Sequence, residues 1–576
     1  MAEAASPGSR PSTLDPPASR DAGRDAGRDC VQVDALIVGA GFSGMYQLLR
    51  LRDHLGMKAL VLEAADGVGG TWYWNRYPGA RCDSESHSYQ YFFDEDLVRE
   101  WQWSERYPGQ AEILRYLNHV ADRYALRPDI RLKTRVTAAR YDAPANRWLV
   151  ETDTGERYGA HFLIAAVGGL SAANLPDIPG LSSFSGRWYH TGEWPHDGVD
   201  FSGKRVGLIG TGSTGIQCAP VIAQSAAHLT VFQRTANYSI PARNAPLDDA
   251  FRQYVREHVD EIRKVMHAST NGHPFLLVDR SATATPPDER DAIYRAAWEK
   301  GGLRFRAEFK DLLIDPAAND TAAEFIKARI REVVKDPAKA AILSNIDHPF
   351  AAKRPPIDTD YFETFNRDNV SLVDLRATPI VEVVPEGIRT ADALYPLDII
   401  VFATGFDAMT GAFLKIAIEG RDGLTLQQAW RAGPRNYLGL QVPGFPNLFT
   451  ITGPGSPSVL CNLPVAIEQH VDWVTDCIAW MRERGATRVE PAEEAVEQWL
   501  ATVQAAADAT LLPKVPHSWY LGANVPGKPR IFMPYAGGMA RYRAICNEIA
   551  AGGYPGFVFD APMRAAPREA GSALQA

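Results

Sequence analysis

Cysteine is scarce in this chain, with six among 576 residues. They stand at Cys30, Cys82, Cys218, Cys461, Cys477 and Cys546, with no C-x-x-C pair and no grouping with histidines. That spacing excludes a disulfide framework, a zinc site and a dithiol redox centre, so no metal is expected. Long apolar stretches are also lacking: the longest runs are strand-length, short of the ~20 residues that a membrane helix needs. No apolar signal-peptide core precedes the first strand, which makes the cytoplasm the expected location and a membrane partner unexpected. Excess positive charge is missing too. With 60 Lys and Arg against 69 Asp and Glu, the formal charge is -9, so a general nucleic-acid surface is excluded and any phosphate must be captured locally.

What is present is the composition of an ordinary globular protein, 45% hydrophobic and 22% charged, at a length that predicts two or three domains. Residues 1–30 are rich in Ala, Gly, Pro, Ser, Asp and Arg and repeat Asp-Ala-Gly-Arg between Asp21 and Arg28; a disordered tail is expected there and another at 561–576. From Val33 an apolar run enters Gly39-Ala-Gly-Phe-Ser-Gly44, followed by the amphipathic Met45–His54 and the apolar Ala59–Leu62. Strand, tight turn, helix and strand within ~30 residues describe one βαβ unit. The pattern recurs as Arg205–Ile209, Gly210-Thr-Gly-Ser-Thr-Gly215, a helix over Ile216–Ser225 and a strand over Leu229–Phe232. Between about Arg243 and Asn345 the periodicity turns helical: Phe251, Tyr254, Val255, His258 and Ile262 share one predicted face, with His258 as a packed core residue, and Phe325, Ile326, Ile330, Val333 and Val334 form another before Pro337. Strands return at Leu397–Phe402 and Asn447–Thr452, and both fit a sheet that the first unit leaves unfinished.

The expected fold is therefore α/β, with two Rossmann-like dinucleotide-binding domains, the first discontinuous and the second carrying a helical insertion. The predicted ranges are 31–168 and 394–560 for the first domain, 169–242 and 346–393 for the second, and 243–345 for the insertion.

Each turn carries the chemistry of a dinucleotide site. Gly39 permits the turn, Gly41 lets backbone approach a pyrophosphate, Gly44 allows close helix packing, and the helix N-terminus faces the phosphates. Glu63, ending the second strand, can accept hydrogen bonds from a ribose diol, which implies an unphosphorylated adenosine ribose. In the second unit Gly210, Gly212 and Gly215 repeat the spacing, but the strand runs into Gln233-Arg234-Thr235 with no acid. A carboxylate there would repel a 2′-phosphate, whereas the Arg234 guanidinium can grip one, so NADPH is favoured over NADH.

Between the turns lie Gly69-Gly-Thr-Trp-Tyr-Trp-Asn-Arg-Tyr-Pro-Gly-Ala-Arg-Cys-Asp83 and Phe184-Ser-Gly-Arg-Trp-Tyr-His-Thr-Gly-Glu-Trp-Pro195. Together these resemble the type I Baeyer–Villiger monooxygenases, FAD- and NADPH-dependent enzymes that insert one oxygen of O2 beside a ketone carbonyl. The second stretch matches the family's F-x-G-x-x-x-H-x-x-x-W-P fingerprint at every fixed position, the first its G-G-x-W…Y-P-G-x-x-x-D element. The likeness runs from Val33 to about Tyr554, through Ala352–Pro355, Ala403–Asp407, Gly453–Val471 and Trp519–Arg530, and is weakest in the helical insertion.

The resemblance implies a cycle in which NADPH reduces FAD, O2 forms a C4a-peroxide, and the deprotonated peroxide attacks a ketone to give an ester or lactone. It implies Arg354 as the cation beside the peroxide and Asp83 as the acid that orients it; an arginine suits because it stays charged at working pH. By the same resemblance Thr71, Trp72, Tyr73, Trp74, Asp83, Tyr89 and the Val136 backbone serve FAD. Arg81, Thr211, Ser213, Thr214, Gln217, Arg234, Thr235, Lys353, Arg354 and Trp519 serve NADP, and Ser458, Val459 and Leu460 border the substrate. Phe184, Gly186, His190, Trp194 and Pro195 are assigned a structural and conformational role between the nucleotide domains. A cyclic or bulky ketone and O2 are the expected small-molecule partners, with no nucleic acid, membrane or obligate protein partner implied.

The alternatives are an N-hydroxylating or S-oxidising flavin monooxygenase, whose fingerprint ends without Trp-Pro, and a silent nucleotide-binding protein on the same fold. Trp194-Pro195 and Lys353-Arg354 favour the Baeyer–Villiger class.

Overall fold

The computed structural model describes residues 30–560; the tails expected at 1–30 and 561–576 fall outside the described residues, apart from Cys30. Two sheets organise the chain. The first runs in the order Ala417–Glu419, Val136–Asp142, Arg147–Thr152, Arg157–Ala165, Val31–Val38, Ala59–Leu62 and Ile130–Arg131, with Leu448–Thr450 added alongside Arg157–Ala165. Its centre is parallel: Val31–Val38 pairs with Ala59–Leu62 on one side and Arg157–Ala165 on the other. Such strands are buried on both faces and read as continuous apolar runs, and Ala35, Leu36 and Ile37 are fully buried. The first helix, Phe42–Leu49, continues as a π-helical turn over Arg50–His54 and packs on the long helix Leu463–Arg484.

The second sheet is parallel throughout, in the order Val370–Asp374, His228–Gln233, Arg205–Ile209, Ile399–Phe402 and Arg187–His190. Here the structure corrects the sequence reading. The strand at 397–402, expected to finish the first sheet, lies in the second, between Arg205–Ile209 and Arg187–His190, so the predicted boundary at 393/394 cuts through the second unit. Ile399, Ile400, Val401 and Phe402 are all buried, and a fully buried parallel strand carries no pattern that says which sheet it joins. The 447–452 strand does join the first sheet, at Leu448–Thr450.

The predicted helical stretch contains Asp249–Glu257, Val259–Ala268, Pro287–Lys300, Pro316–Val333 and Pro337–Ser344. Its later helices share a core with the second sheet through Tyr294, Phe305, Phe325 and Ile326, whereas Val255, Val259, Ile262 and Met266 pack on Phe92 and Val98. The single face predicted for Phe251–Ile262 is broken at His258, where one helix ends and the next begins. His258 is half-buried rather than core, stacked 4.3 Å from the exposed Tyr254 ring.

Candidate active site

The two glycine turns are superposable in logic and differ in enclosure. Gly39 and Gly210 take φ of +105° and +111°, and a Cβ at either would strike a carbonyl, of Ala166 at 2.6 Å and of Ala403 at 2.4 Å. At Gly44 and Gly215 a Cβ would sit 1.8 and 2.1 Å from the carbonyl oxygens of Gly39 and Gly210, so each helix packs directly on its own turn. The middle positions part company. A Cβ on Gly41 would lie 3.4 Å from the Cα of Gly70, whereas one on Gly212 would meet nothing within 4 Å. Gly212 is exposed, with Thr211 buried behind it and Ser213 and Thr214 half-buried at the helix start.

Around the first turn, Glu63 is buried and accepts from the N–H of Ala40 at 2.7 Å and of Ala65 at 2.8 Å. Burial raises its pKa against those two bonds, and its remaining lone pairs suit a ribose diol. The Thr134 N–H donates to the Glu63 carbonyl at 2.8 Å, which sets the start of the strand Val136–Asp142 beside it. The short helix Thr71–Trp74 follows Gly70; its exposed Thr71 and half-buried Trp74 flank the buried Trp72 and Tyr73. Trp72 Nε1 donates to the Tyr89 hydroxyl at 3.2 Å and the rings meet edge-on. Tyr73 donates to Asp66.

Around the second turn, Arg234 is exposed at the strand end and the Thr235 carbonyl accepts from the Thr211 hydroxyl at 2.8 Å. Lys353 stands in the same positive field. Burial lowers its pKa first, Arg234 and Arg376 lower it further, and Asp347 opposes them. Arg376, missed in the sequence, donates to the Arg234 carbonyl at 2.8 Å and to Asp347 at 2.7 Å. An isolated arginine after an ordinary strand gives no local signal; only the parallel pairing of Val370–Asp374 with His228–Gln233 brings it to Arg234.

Gln217, on the second unit's helix, joins the two regions. Its Oε1 accepts from the Tyr77 hydroxyl at 2.8 Å, and its Nε2 donates to the Arg81 carbonyl at 3.2 Å and to Asp83 at 3.4 Å. The Arg81 guanidinium donates to the Tyr107 carbonyl at 3.0 Å and to Glu105 at 3.5 Å. Asp83 faces Arg354 with Oδ2 3.9 Å from Nε, their side chains 10% and 27% exposed. Burial outweighs that attraction and pushes the Asp83 carboxyl up to about 6. Burial also works against the charge on Arg354, but the carboxylate of Asp83 opposes it and the Arg354 pKa stays above the ordinary value. The Arg354 Nη1 reaches the Val459 carbonyl at 3.4 Å, and the Tyr520 hydroxyl accepts from its backbone N–H at 3.2 Å. Ser458 and Val459 are buried with half-buried Leu460 beside them. Trp519 is half-buried, one residue before Tyr520; Tyr520 is a second residue that sequence reasoning missed.

The fingerprint is structural in its contacts. Arg187–His190 is the edge strand of the second sheet, and a Cβ on Gly186 would meet the Asp398 carbonyl at 2.4 Å. His190 is buried and accepts from the Gly192 N–H at 3.0 Å, its pKa lowered by burial. Trp194 packs on Tyr189 and Phe201, Phe184 lies against the cluster of Phe232, Ile400 and Phe402, and the Pro195 carbonyl accepts from Gly198 at 3.2 Å.

An open glycine cradle, three converging cations and a buried carboxylate with free lone pairs fit two dinucleotides, one with a 2′-phosphate. These features define an oxidoreductase working with a flavin and a nicotinamide nucleotide. Residues 36–273 match the family described as pyridine nucleotide-disulphide oxidoreductase. A Baeyer-Villiger monooxygenase of Pseudooceanicola batsensis is 43% identical over 530 residues, 92% of this chain and 96% of that one. The phenazine N-monooxygenase PhzNO1 of Lysobacter antibioticus is 43% identical over 528 residues, 91% and 96% of the two chains. Among solved structures, an oxidised steroid monooxygenase bound to NADP superposes with a TM-score of 0.88 at 52% identity, covering 92% of this chain and 99% of that one. The chain belongs to the Baeyer–Villiger monooxygenases, and is an NADPH-dependent, FAD-containing enzyme of that family.

Proposed function

We propose that this chain oxidises a cyclic or bulky ketone to the ester or lactone, with Arg354 as the catalytic cation and Asp83 as the acid that steadies it. One atom of O2 enters beside the carbonyl and the other leaves as water, with NADPH and a proton supplying the two electrons and two hydrogens. Bound FAD supplies the activated oxygen; the protein's part is to orient it, exclude water and hold charge. The observation that carries the reading is the Arg354–Asp83 pair, set 3.9 Å apart against the carbonyl of the 458–460 loop. A guanidinium does not give up its proton at working pH, so it favours a negative oxygen without quenching it. With Asp83 beside Nε and the Val459 carbonyl on Nη1, Nη2 is left for the reacting oxygen.

Arg234, Lys353 and Arg376 hold the 2′-phosphate, Gly212 and the helix from Ser213 face the pyrophosphate, and Glu63, Thr71, Trp72 and the Val136 backbone hold FAD. The two sheets are the two nucleotide domains, with the chain leaving the second beyond Phe402. O2 and the ketone suffice as partners and the cytoplasm is the working location; no described helix is long and apolar enough to cross a membrane.

Heteroatom oxidation is the second reading, favoured by the equal identity to an N-monooxygenase. Purified enzyme supplied with NADPH is tested on cyclic and steroidal ketones, a sulfide and a phenazine, with product mass as readout. Ketone products heavier by one oxygen support the proposal. Oxidation of the sulfide or phenazine alone, with NADPH spent on peroxide when ketones are added, overturns it.

A further inference from the structure

Arg354 is not the only cation at this site. Arg306, between the two helical faces predicted for the insertion, sits in the 3-10 turn Leu303–Ala307. Its Nη2 donates to the Asn271 side-chain carbonyl, and among the described residues it makes no ion pair. Asn271 in turn donates to the Leu460 carbonyl at 2.7 Å. Since Arg354 donates to the carbonyl of Val459, the two guanidinium groups are tied to consecutive residues of one loop, one directly and one through an amide.

The charges there do not balance. Burial and the nearby Arg354 pull the Arg306 pKa down to about 10, which leaves it protonated at neutral pH. His273, buried beside both arginines, has a pKa held well below the ordinary value by burial and by their charges, and is neutral. Tyr520 and Cys461 are neutral as well, their pKa values raised by burial. Arg354 thus has the carboxylate of Asp83, whereas Arg306 has none among the described residues. Arg306 is half-buried, so its guanidinium is partly withdrawn from water yet still accessible, and a cation so placed without a carboxylate is suited to meet an anion that a ligand brings. The residues packed around the loop are apolar: Val459, Tyr520, Phe532 and Met533 form one buried cluster with Leu460 against it, and Leu276 and Leu277, three and four residues after His273 in the chain, are 54% and 46% exposed.

We propose that Arg306 is a substrate-recognition residue that receives the carboxylate of a keto acid, an apolar ring whose ketone is presented to Arg354. This rests on the ketone-oxidising reading above. The anchor acts on binding and orientation and leaves the oxygen-insertion step to Arg354. One charge-assisted contact at a half-buried guanidinium sets the scale of the preference at about tenfold.

The test compares 4-oxocyclohexane-1-carboxylate with its methyl ester, using the FAD-loaded enzyme and NADPH. Wild type is expected to show kcat/KM at least about tenfold higher for the acid. In Arg306→Met that ratio collapses towards one or below, while Arg306→Lys, which keeps the charge, retains part of it. Inhibition of wild type by cyclohexanecarboxylate, and not by its amide, gives a readout that depends on no variant. A ratio equal in wild type and Arg306→Met overturns the proposal, as does a raised KM for NADPH with the ratio untouched, which would assign the guanidinium to the nucleotide. Should neither ketone be oxidised, equilibrium binding separates the two ideas. Acid bound by wild type and not by Arg306→Met sustains the anion site and sinks the ketone reading; no binding to either sinks both.

Discussion

The two glycine turns share spacing and outer packing but not surroundings. The first has the backbone of Gly70 against Gly41; at the second, a Cβ on Gly212 would meet nothing within 4 Å. The proposed sites would therefore differ in cover, the first lying under a second stretch of chain and the second being open at its middle glycine. This is the contrast expected between a resident flavin and a nicotinamide nucleotide that must come and go, and it arises from what is packed over the turn, not from the turn itself.

The strongest way to break the contrast is at the third glycines, where a Cβ has no room in either turn. Gly44→Ala is expected to yield protein without flavin colour. Gly215→Ala is expected to stay yellow while its KM for NADPH rises by about two orders of magnitude, roughly 3 kcal/mol; equal flavin loss in both would end the distinction. Next in size is Lys353→Met, which removes a charged contact to the 2′-phosphate and should cut the preference for NADPH over NADH about tenfold to a hundredfold. Arg376→Met acts partly through Arg234 and should cost less, and a steady-state comparison of the two cofactors ranks them. At the middle glycines the effects are smaller: Gly212→Ala should keep its flavin and thermal midpoint and weaken NADPH several-fold, whereas Gly41→Ala, pressed on Gly70, should release flavin more readily on dilution.

The smallest effect is on pH. Asp83 has its carboxyl raised from 3.8 to about 6, so the folded protein keeps a proton that the unfolded chain releases, and this group's contribution to stability falls as pH rises between those values. Activity runs the other way. Protonation below about pH 6 removes the partner of Arg354, so kcat/KM for the ketone should decline there, and Asp83→Asn should flatten that limb.

Both turns, Glu63, Arg234 and the Asp83–Arg354 juxtaposition were legible because each sits in a local motif or a family element. The strand Ile399–Phe402 was misplaced because burial on both faces erases alternation. Tyr254 and His258 were read as one inward face because periodicity takes a helix to be continuous, and this one breaks at His258. Arg376, Tyr520 and Arg306 carry no local signal; they become visible only when sheet pairing or the insertion brings them to residues distant in sequence.

The central claim is that Arg354 is needed for oxygen transfer to carbon. The direct measurement is the amount of ester formed per NADPH oxidised, for wild type and Arg354→Ala with the same ketone. The account predicts a ratio near one for wild type and a fall of about 10²-fold or more in the variant, the loss expected when a preorganised charge at the reacting oxygen is removed. A variant that still makes ester in proportion to the NADPH it consumes would contradict it.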